Sequence, residues 1–452
     1  MTCHGLCAPD GTRYSRTQFT HELMQLNRHF VDQMDLCGGW SSELADAMTP
    51  RCTGVFYFAQ SETMQLKSIA RYLGSIYKKL GKAIESDLNF RKRALSMIPA
   101  GEAKNIGPVL SRSPWATTLR ADVIFDRSGQ ARIVEVNSDN VGGIEAIDLM
   151  LRFYIESYRL RPESSCAIAL RAMNSSLRQL VLEEWNHFPG RSRPQPTIAV
   201  AFQDRDVSSF AARYLAAMLS RNGFHAFARR PEHFQWGSGK GVVVKNPVCG
   251  TTAVDVLWKH WLSCEMYESG AKKGRQFNPV FLRLFNASAR QELLVLSAFA
   301  DRLLFSKEWM VELCEMERDQ DQNRFPQILS AAERRFIAQY FVPSRRCAEV
   351  KVGSVIKAAD SFGGKQVEFV RKDRPVWIEQ PEVVPHKVPS LFRMNVSGPV
   401  ETKELYAVHG VVVHTSPSGQ GRLAGVMTRV GPEPIVNWAS GAQFVPGICG
   451  SP

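Results

Sequence analysis

Apolar positions along the chain follow two periods, one of helices and one of strands. From residue 15 to 100 the spacing is mostly helical, around one strand pattern, GVFYFA at 54–59. TTLRADVIF (117–125) and ARIVEVN (131–137) then alternate as strands do, joined by DRSGQ (126–130), a hairpin turn signal. Long amphipathic stretches cover 144–187, and FPGRSRPQP (188–196) reads as a linker. Beyond it TIAVAFQD (197–204) has the pattern of a buried strand. VSSFAARYLAAMLSRNG (207–223) is a helix closed by Gly223, and FHAFA (224–228) is a second strand, which completes a β-α-β unit. VDVLWKHW (254–261) looks like another strand end, and helices dominate again from 288 to 340. From 352 onward GSVIKA, KQVEFV, PVWIEQ, ELYAVHGVVVH and GRLAGVMTRV suggest an antiparallel module of short strands. The pattern shows no internal repeat and no low-complexity segment.

The hairpin carries chemistry as well as pattern. Its second strand runs into IVEVNSDNVGG (133–143), which places Glu135, Asn137 and Asp139 on alternate positions. Residues two apart in a strand share a face, so Arg120 and Asp122 project together, as do Glu135 and Asn137. If partner numbers sum to 257, Asp122 opposes Glu135, Arg120 opposes Asn137, and Asp126 opposes Ala131 across a four-residue loop. Two carboxylates crowded on one patch repel unless something offsets their charge. A magnesium ion does so with oxygen ligands from carboxylates, waters and substrate phosphates, and Asp122, Glu135 and Asn137 supply such oxygens. Arg120 can meet a phosphate bidentately. The alternative is an exposed sheet face with one Arg–Asp pair.

A phosphate site would strengthen the metal reading, and VIKAADSFGGKQVEFV (355–370) offers one. A strand carrying Lys357 runs into a Gly363–Gly364 turn whose backbone N–H groups can approach a phosphate closely, with Lys365 beside them. It is not a Walker A loop, lacking the spaced glycine, the Ser/Thr and a following helix. GSGKGVVVK (237–245) looks more like a P-loop, but it precedes a strand and reads as a hairpin connection. WIEQ (377–380) can line an adenine through backbone groups and Gln380. GRLAGVMTRVG (421–431) ends on Arg429, placed to neutralise a transferring phosphoryl group.

Composition bounds the rest. A chain of 452 residues forms two to four packed units. Its 44% hydrophobic and 22% charged shares are those of globular domains. Its longest uncharged run, 434–452, is broken by prolines, glycines and polar residues and does not read as a membrane span. The start, MTCHGLCAPDGTRY, lacks the apolar run of a secretory signal. Ten cysteines without a CxxC pair fit reduced thiols in a cytoplasmic protein. Cys3, His4 and Cys7 lack two further ligands at zinc-like spacing, so the N-terminus reads as a disordered tail. The net charge of +12 favours anionic partners such as nucleotides or acyl phosphates. Because the basic residues are spread along the chain, it argues little for nucleic acid; the densest run, 77–93, looks like a solvated helix face. No nucleophilic Ser or Cys stands out, and the ten histidines form no cluster.

Taken together, these motifs resemble the ATP-grasp ligases, specifically the circularly permuted branch that includes glutathionylspermidine synthetase-like enzymes. Ordinary ATP-grasp chains place the lysine-and-glycine strand pair before the metal carboxylates. Here RADVIF…IVEVN comes first and VIKAADSFGGK more than two hundred residues later. LLFSKEWMVELCEM (303–316) resembles the family segment whose lysine, here Lys307, reaches the nucleotide. FPQILSAAERRFIAQYFVPSRR fits the connector that follows, and LAGVMTRVGPEPIVNWASG the family's GGxTR strand. The resemblance covers residues 115–445. EVNSDNVGG departs from the branch's EiNaDTP, AGVMTR lacks one glycine, and no amidase-type Cys–His domain is visible.

The resemblance implies an α/β chain with a circularly permuted ATP-grasp fold. A helical region, 1–115, would precede the metal-binding strands and helices of 116–187. A β-α-β domain, 188–290, would be inserted before a nucleotide-binding portion, 291–452. It implies an ATP-dependent carboxylate–amine ligase that forms an amide through an acyl phosphate and releases ADP and phosphate. ATP and Mg²⁺ would be its cofactors, Asp122, Glu135 and Asn137 the metal ligands, and Lys307, Lys357, Gly363, Gly364, Lys365 and Gln380 the nucleotide contacts. Arg120 and Arg429 would stabilise the transferring group. Partners would be a small-molecule carboxylate and an amine, an amino acid or a peptide, with no membrane and a homodimer compatible with the chain. A non-catalytic nucleotide-binding protein of the same fold is the rival. The helix after Gly142 and Gly143 either seats the acyl group at its N-terminus or follows a tight strand-to-helix turn.

Overall fold

A computed structural model describes residues 5–10, 12, 15–36, 53–98, 100–106, 110, 114–202, 206–237, 241–246, 250–260, 279–318, 328–347, 354–358, 377–381, 383, 385, 387–393, 400–433, 436 and 442–449. The expected hairpin is the rim of an eight-stranded sheet. Its order is Gly5–Cys7, Val55–Phe58, Gln443–Cys449, Gly421–Gly431, Val400–Thr415, Thr118–Phe125, Ala131–Asn137, with Lys387–Arg393 also pairing to Val400–Thr415. All neighbours are antiparallel except Gln443–Cys449 beside Val55–Phe58.

Helices cover both faces of this sheet because their apolar stripes match its two sides. Gln60–Ser86 lays Leu66, Ile69, Leu73, Ile76 and Leu80 on the side of Val123, Val411 and Val426. Gly74 and Gly421 let that helix and the Gly421–Gly431 strand touch backbone to backbone. On the other side Ile144–Ser157 and Ser165–His187 bring Ile147, Leu151, Met173 and Leu177 against Met427.

The β-α-β reading holds. Leu294–Leu296, Val256–Lys259, Thr197–Ala201 and His225–Arg229 form a parallel sheet in that order, with the helix Asp206–Arg221 between its last two strands. The chain leaves Thr197–Ala201 toward one side and returns on the other, so the order reverses between Thr197–Ala201 and Val256–Lys259. Such a switch point opens a crevice at the carboxyl ends of the two strands. GSGKGVVVK is a hairpin connection, joining Phe234–Gly237 to Gly241–Asn246.

Two expectations are corrected. The N-terminus is no tail: Gly5–Cys7 is an edge strand paired to Val55–Phe58, and Cys7 is disulfide-bonded rather than reduced. The expected module of short C-terminal strands is right in part. Ser354–Ala358 and Trp377–Pro381 are short and pair antiparallel in a three-stranded sheet with Arg345–Cys347. KQVEFV lies outside the described residues, and the last two strands are long and belong to the large sheet. Val400–Thr415 and Gly421–Gly431 run 16 and 11 residues, and the first pairs directly with Thr118–Phe125. Alternation reveals a strand but not its partner almost three hundred residues away. Among the described residues no helix is long and apolar enough to cross a membrane.

His409 lies inside this core, its ring 4.7, 4.9 and 5.5 Å from those of Phe56, Phe58 and Phe125, its Nδ1 3.0 Å from Thr428 Oγ1. Burial, and secondarily Arg429, push its pKa down to about 3. The unfolded chain therefore takes up the proton first, and the stability held above pH ~6.5 is lost as pH falls. Measured by urea unfolding, His409→Gln is expected to flatten that acid limb by about 3 kcal/mol between pH 7 and 4. Parallel curves for variant and wild type would show that the ring does not titrate this way.

Candidate functional site

The hairpin register around the polar patch is as expected: Arg120 opposes Asn137 and Asp122 opposes Glu135. Beyond Asp122 a bulge shifts the ladder, so Phe125, not Asp126, opposes Ala131. Asp126 belongs to the turn instead. Its Oδ1 accepts from the N–H groups of Ser128 (2.9 Å) and Gln130 (3.1 Å), and its Oδ2 from Arg132 Nε at 3.1 Å.

Asp122 is buried and gripped from two sides. Arg120 Nε donates to Oδ1 at 3.0 Å, and Arg429 Nη2 lies 2.7 Å from Oδ2. Arg429 comes from the second strand over, and Gly410 on the strand between makes this possible. A Cβ at Gly410, directly opposite Asp122, would press on Arg120 Cδ at 3.0 Å. Burial pushes the Asp122 carboxyl up, but Arg120 and then Arg429 outweigh it and hold the pKa below the ordinary value. Arg120 Nη1 also donates to the Gly142 carbonyl at 3.3 Å.

Lys307 reaches the same patch from the turn before the helix Glu308–Arg318, its Nζ 3.5 Å from Glu135 Oε1. The Asn137 Nδ2 is buried with no hydrogen-bond partner among the described residues. Gln380 lies behind the carboxylate strand, its Nε2 donating to Val134 O at 3.3 Å and Ser344 Oγ at 3.0 Å. Lys357 sits on Ser354–Ala358, which pairs with Trp377–Pro381 so that Lys357 opposes Ile378 and Val355 opposes Gln380. The Lys357 side chain, Gly363, Gly364 and Lys365 lie outside the described residues.

The loop Ser138–Gly143 is fastened by groups that pattern reading missed. Asp139 forms a fully buried ion pair with Lys259, at the carboxyl end of a switch-point strand. His260, next along, lies 3.3 Å from Glu145. Ser138 Oγ donates to Asp301 O at 2.9 Å, and the Asn140 N–H to Ser297 Oγ at 3.2 Å. Asp301 accepts from the N–H groups of Ala116 (2.7 Å) and Ala298 (3.0 Å), and burial, with Asp139 adding to it and the Ala116 N–H and Lys259 opposing it, raises its pKa to about 7. Ala116, Asn140 and Ser297 all have left-handed backbones, with φ of 52°, 53° and 52°. Such strain persists where the surroundings over-determine it, and functional loops concentrate it. The one available signal was the charged end, KH, of an otherwise apolar strand.

At position 143 the backbone itself requires a glycine. It caps the helix at φ +112°, a Cβ there would run into the Met427 sulfur, and its N–H already donates to Glu145 Oε2 at 3.1 Å. Gly143→Val should therefore destabilise the protein by about 2–4 kcal/mol through strain and overpacking. Gly142, with open space around its missing Cβ, should accept Ala within about 1 kcal/mol. Thermal melts of the two variants check this, and equal melting temperatures would refute it.

No family profile matches the sequence, and no curated protein matches it either. Among solved structures, a glutathione synthetase-like effector from Globodera pallida, in its apo form, superposes with a TM-score of 0.59 at 11% identity, over 94% of this chain and 97% of that one. A proposed γ-glutamylcysteine synthetase from Methylobacillus flagellatus KT superposes at a TM-score of 0.36 and 11% identity, over 80% and 87% of the two chains, too loosely to bear on the fold. What this chain shares with the effector, along nearly the whole length of both, is its fold.

Proposed function

We propose that the protein is an ATP-dependent carboxylate–amine ligase on a circularly permuted ATP-grasp fold. The observation that carries this reading is the convergence of Arg120, Asp122, Glu135, Lys307 and Arg429, from three distant stretches of chain, on one patch of sheet.

The donor set fits magnesium. Asp122, Glu135 and Asn137 present hard oxygens on adjacent strands, and the Asn137 Nδ2, a donor with no partner among the described residues, is suited to an acceptor such as a phosphate oxygen. Three cationic side chains face two carboxylates, so the patch favours the ion together with a polyphosphate over the ion alone. When bound, Mg²⁺ would neutralise phosphate charge during transfer.

The chain's own groups do the rest. Asp122 orients Arg120 and Arg429, which keep their guanidinium charge where the acyl phosphate and then the tetrahedral intermediate become negative. Glu135 keeps Lys307 near the phosphates. A carboxylate oxygen of the substrate attacks the γ-phosphorus as the bond to ADP breaks. The amine then attacks the acyl carbon, loses a proton, and expels phosphate. Lys357 and Gln380, on one antiparallel ladder behind the carboxylate strand, would line the nucleotide with the Gly363–Gly364 turn and Lys365.

The test is ADP release on mixing the protein with ATP, Mg²⁺ and a pool of amino acids and small peptides, with mass detection of an amide product. Product formation is expected. Nucleotide binding without any acid- and amine-dependent ADP release would leave a non-catalytic nucleotide-binding protein instead.

A further inference from the structure

The β-α-β unit holds a cavity of about 810 Å³, none of whose lining residues belongs to the carboxylate patch. It runs along the outer strand of the parallel sheet, His225–Arg229, between that strand, the helix Asp206–Arg221, and His233 and Lys245 of the hairpin Phe234–Gly237/Gly241–Asn246 and the turn before it. Its volume falls in the range of small-molecule sites.

The lining divides into an apolar floor and a basic rim. Ala216, Ala217, Ala226 and Ala228, with Phe202, keep the floor shallow and greasy. Arg213, Arg229, Arg230, His233 and Lys245 supply the rim, and among the described residues no acidic side chain lines the cavity. Two guanidinium groups are held over rings of the wall: Arg213 at 5.8 Å from Phe202 and Arg229 at 5.2 Å from Phe227. Stacking of this kind fixes the plane of a guanidinium head, and Arg229 is held further by donating from Nη1 to the Ala228 carbonyl at 2.8 Å. The carboxyl ends of parallel strands, which contribute Phe202, Arg229 and Arg230, are where α/β sheets present such ligands.

We propose that this cavity binds an organic anion with an apolar or aromatic body, its carboxylate, phosphate or sulfonate head held by Arg213 and Arg229. The competing account is that basic residues merely guard an edge strand against pairing with other chains.

The probe is 8-anilinonaphthalene-1-sulfonate, titrated by fluorescence into the full-length protein. Saturable binding of a single equivalent is expected, weakened by salt. The uncharged analogue N-phenyl-1-naphthylamine should bind at least about tenfold more weakly. Arg213→Gln with Arg229→Gln, and separately Ala217→Trp to fill the floor, should each weaken the probe at least about tenfold, with melting temperature and nucleotide binding unchanged. Probe affinity equal in wild type and both variants, no saturable binding, or equal affinity for the uncharged analogue would each overturn the proposal.

Discussion

Asp122→Ala is expected to abolish ADP release and to lower the unfolding free energy by about 3 kcal/mol, the low end for breaking a buried ion pair. Removing the carboxylate leaves the Arg120 and Arg429 guanidiniums close together with no anion between them, and their partial exposure tempers the loss. Glu135→Gln separates function from fold. The Glu135 side chain is 24% exposed and lies 3.5 Å from Lys307, a loose contact whose loss should change stability by less than about 1 kcal/mol. Its turnover should nevertheless fall roughly a hundredfold or more, because its charge is needed only once the phosphates and their ion are bound. Urea unfolding and the ADP assay, run on both variants, check the pair. Wild-type stability in Asp122→Ala would mean the two arginines do not depend on it. Near-normal turnover in Glu135→Gln would remove the metal site from the hairpin.

The polar patch was legible in the sequence to the extent that it is local. A turn signal and alternating side chains fix a hairpin register within a residue, and the pairing of Asp122 with Glu135 follows. The bulge beyond Asp122 that moves Asp126 off Ala131, and the side-chain bonds that hold Asp126 in the turn, are not encoded by alternation. Arg429 was visible only as the end of a strand. That it reaches Asp122 depends on which strands become neighbours, and on Gly410 leaving the space between them open. A glycine inside ELYAVHGVVVH is itself a sign of close approach, but it gains meaning only beside Thr118–Phe125. Gly143 shows the converse. A helix start beside a candidate acyl site invited a binding role, whereas its φ and the Met427 sulfur show a backbone requirement. The Asp139–Lys259 pair left almost no trace, since its halves lie 120 residues apart.

That ion pair carries the second large effect. Lys259 and Asp139 are both fully buried, and they join the carboxyl end of a switch-point strand to the loop that follows the carboxylate strand. Lys259→Met keeps the length and apolar volume of the side chain but strands Asp139 without its cation. Truncating one member of a buried pair costs about 3–5 kcal/mol at neutral pH, far more than the intact pair contributes. The loop should also loosen, and with it the Gly142 carbonyl that accepts from Arg120, so ADP release should fall even in the fraction that stays folded. Asp139→Asn added to Lys259→Met removes the charge that Lys259 had offset. The double variant should therefore regain about half the lost stability, as expected when two groups act as one unit. Denaturant unfolding of the two single variants and the double one completes the cycle. A Lys259→Met protein within about 1 kcal/mol of wild type, or a double variant no more stable than Lys259→Met, would show that the pair does not hold the loop to the parallel sheet.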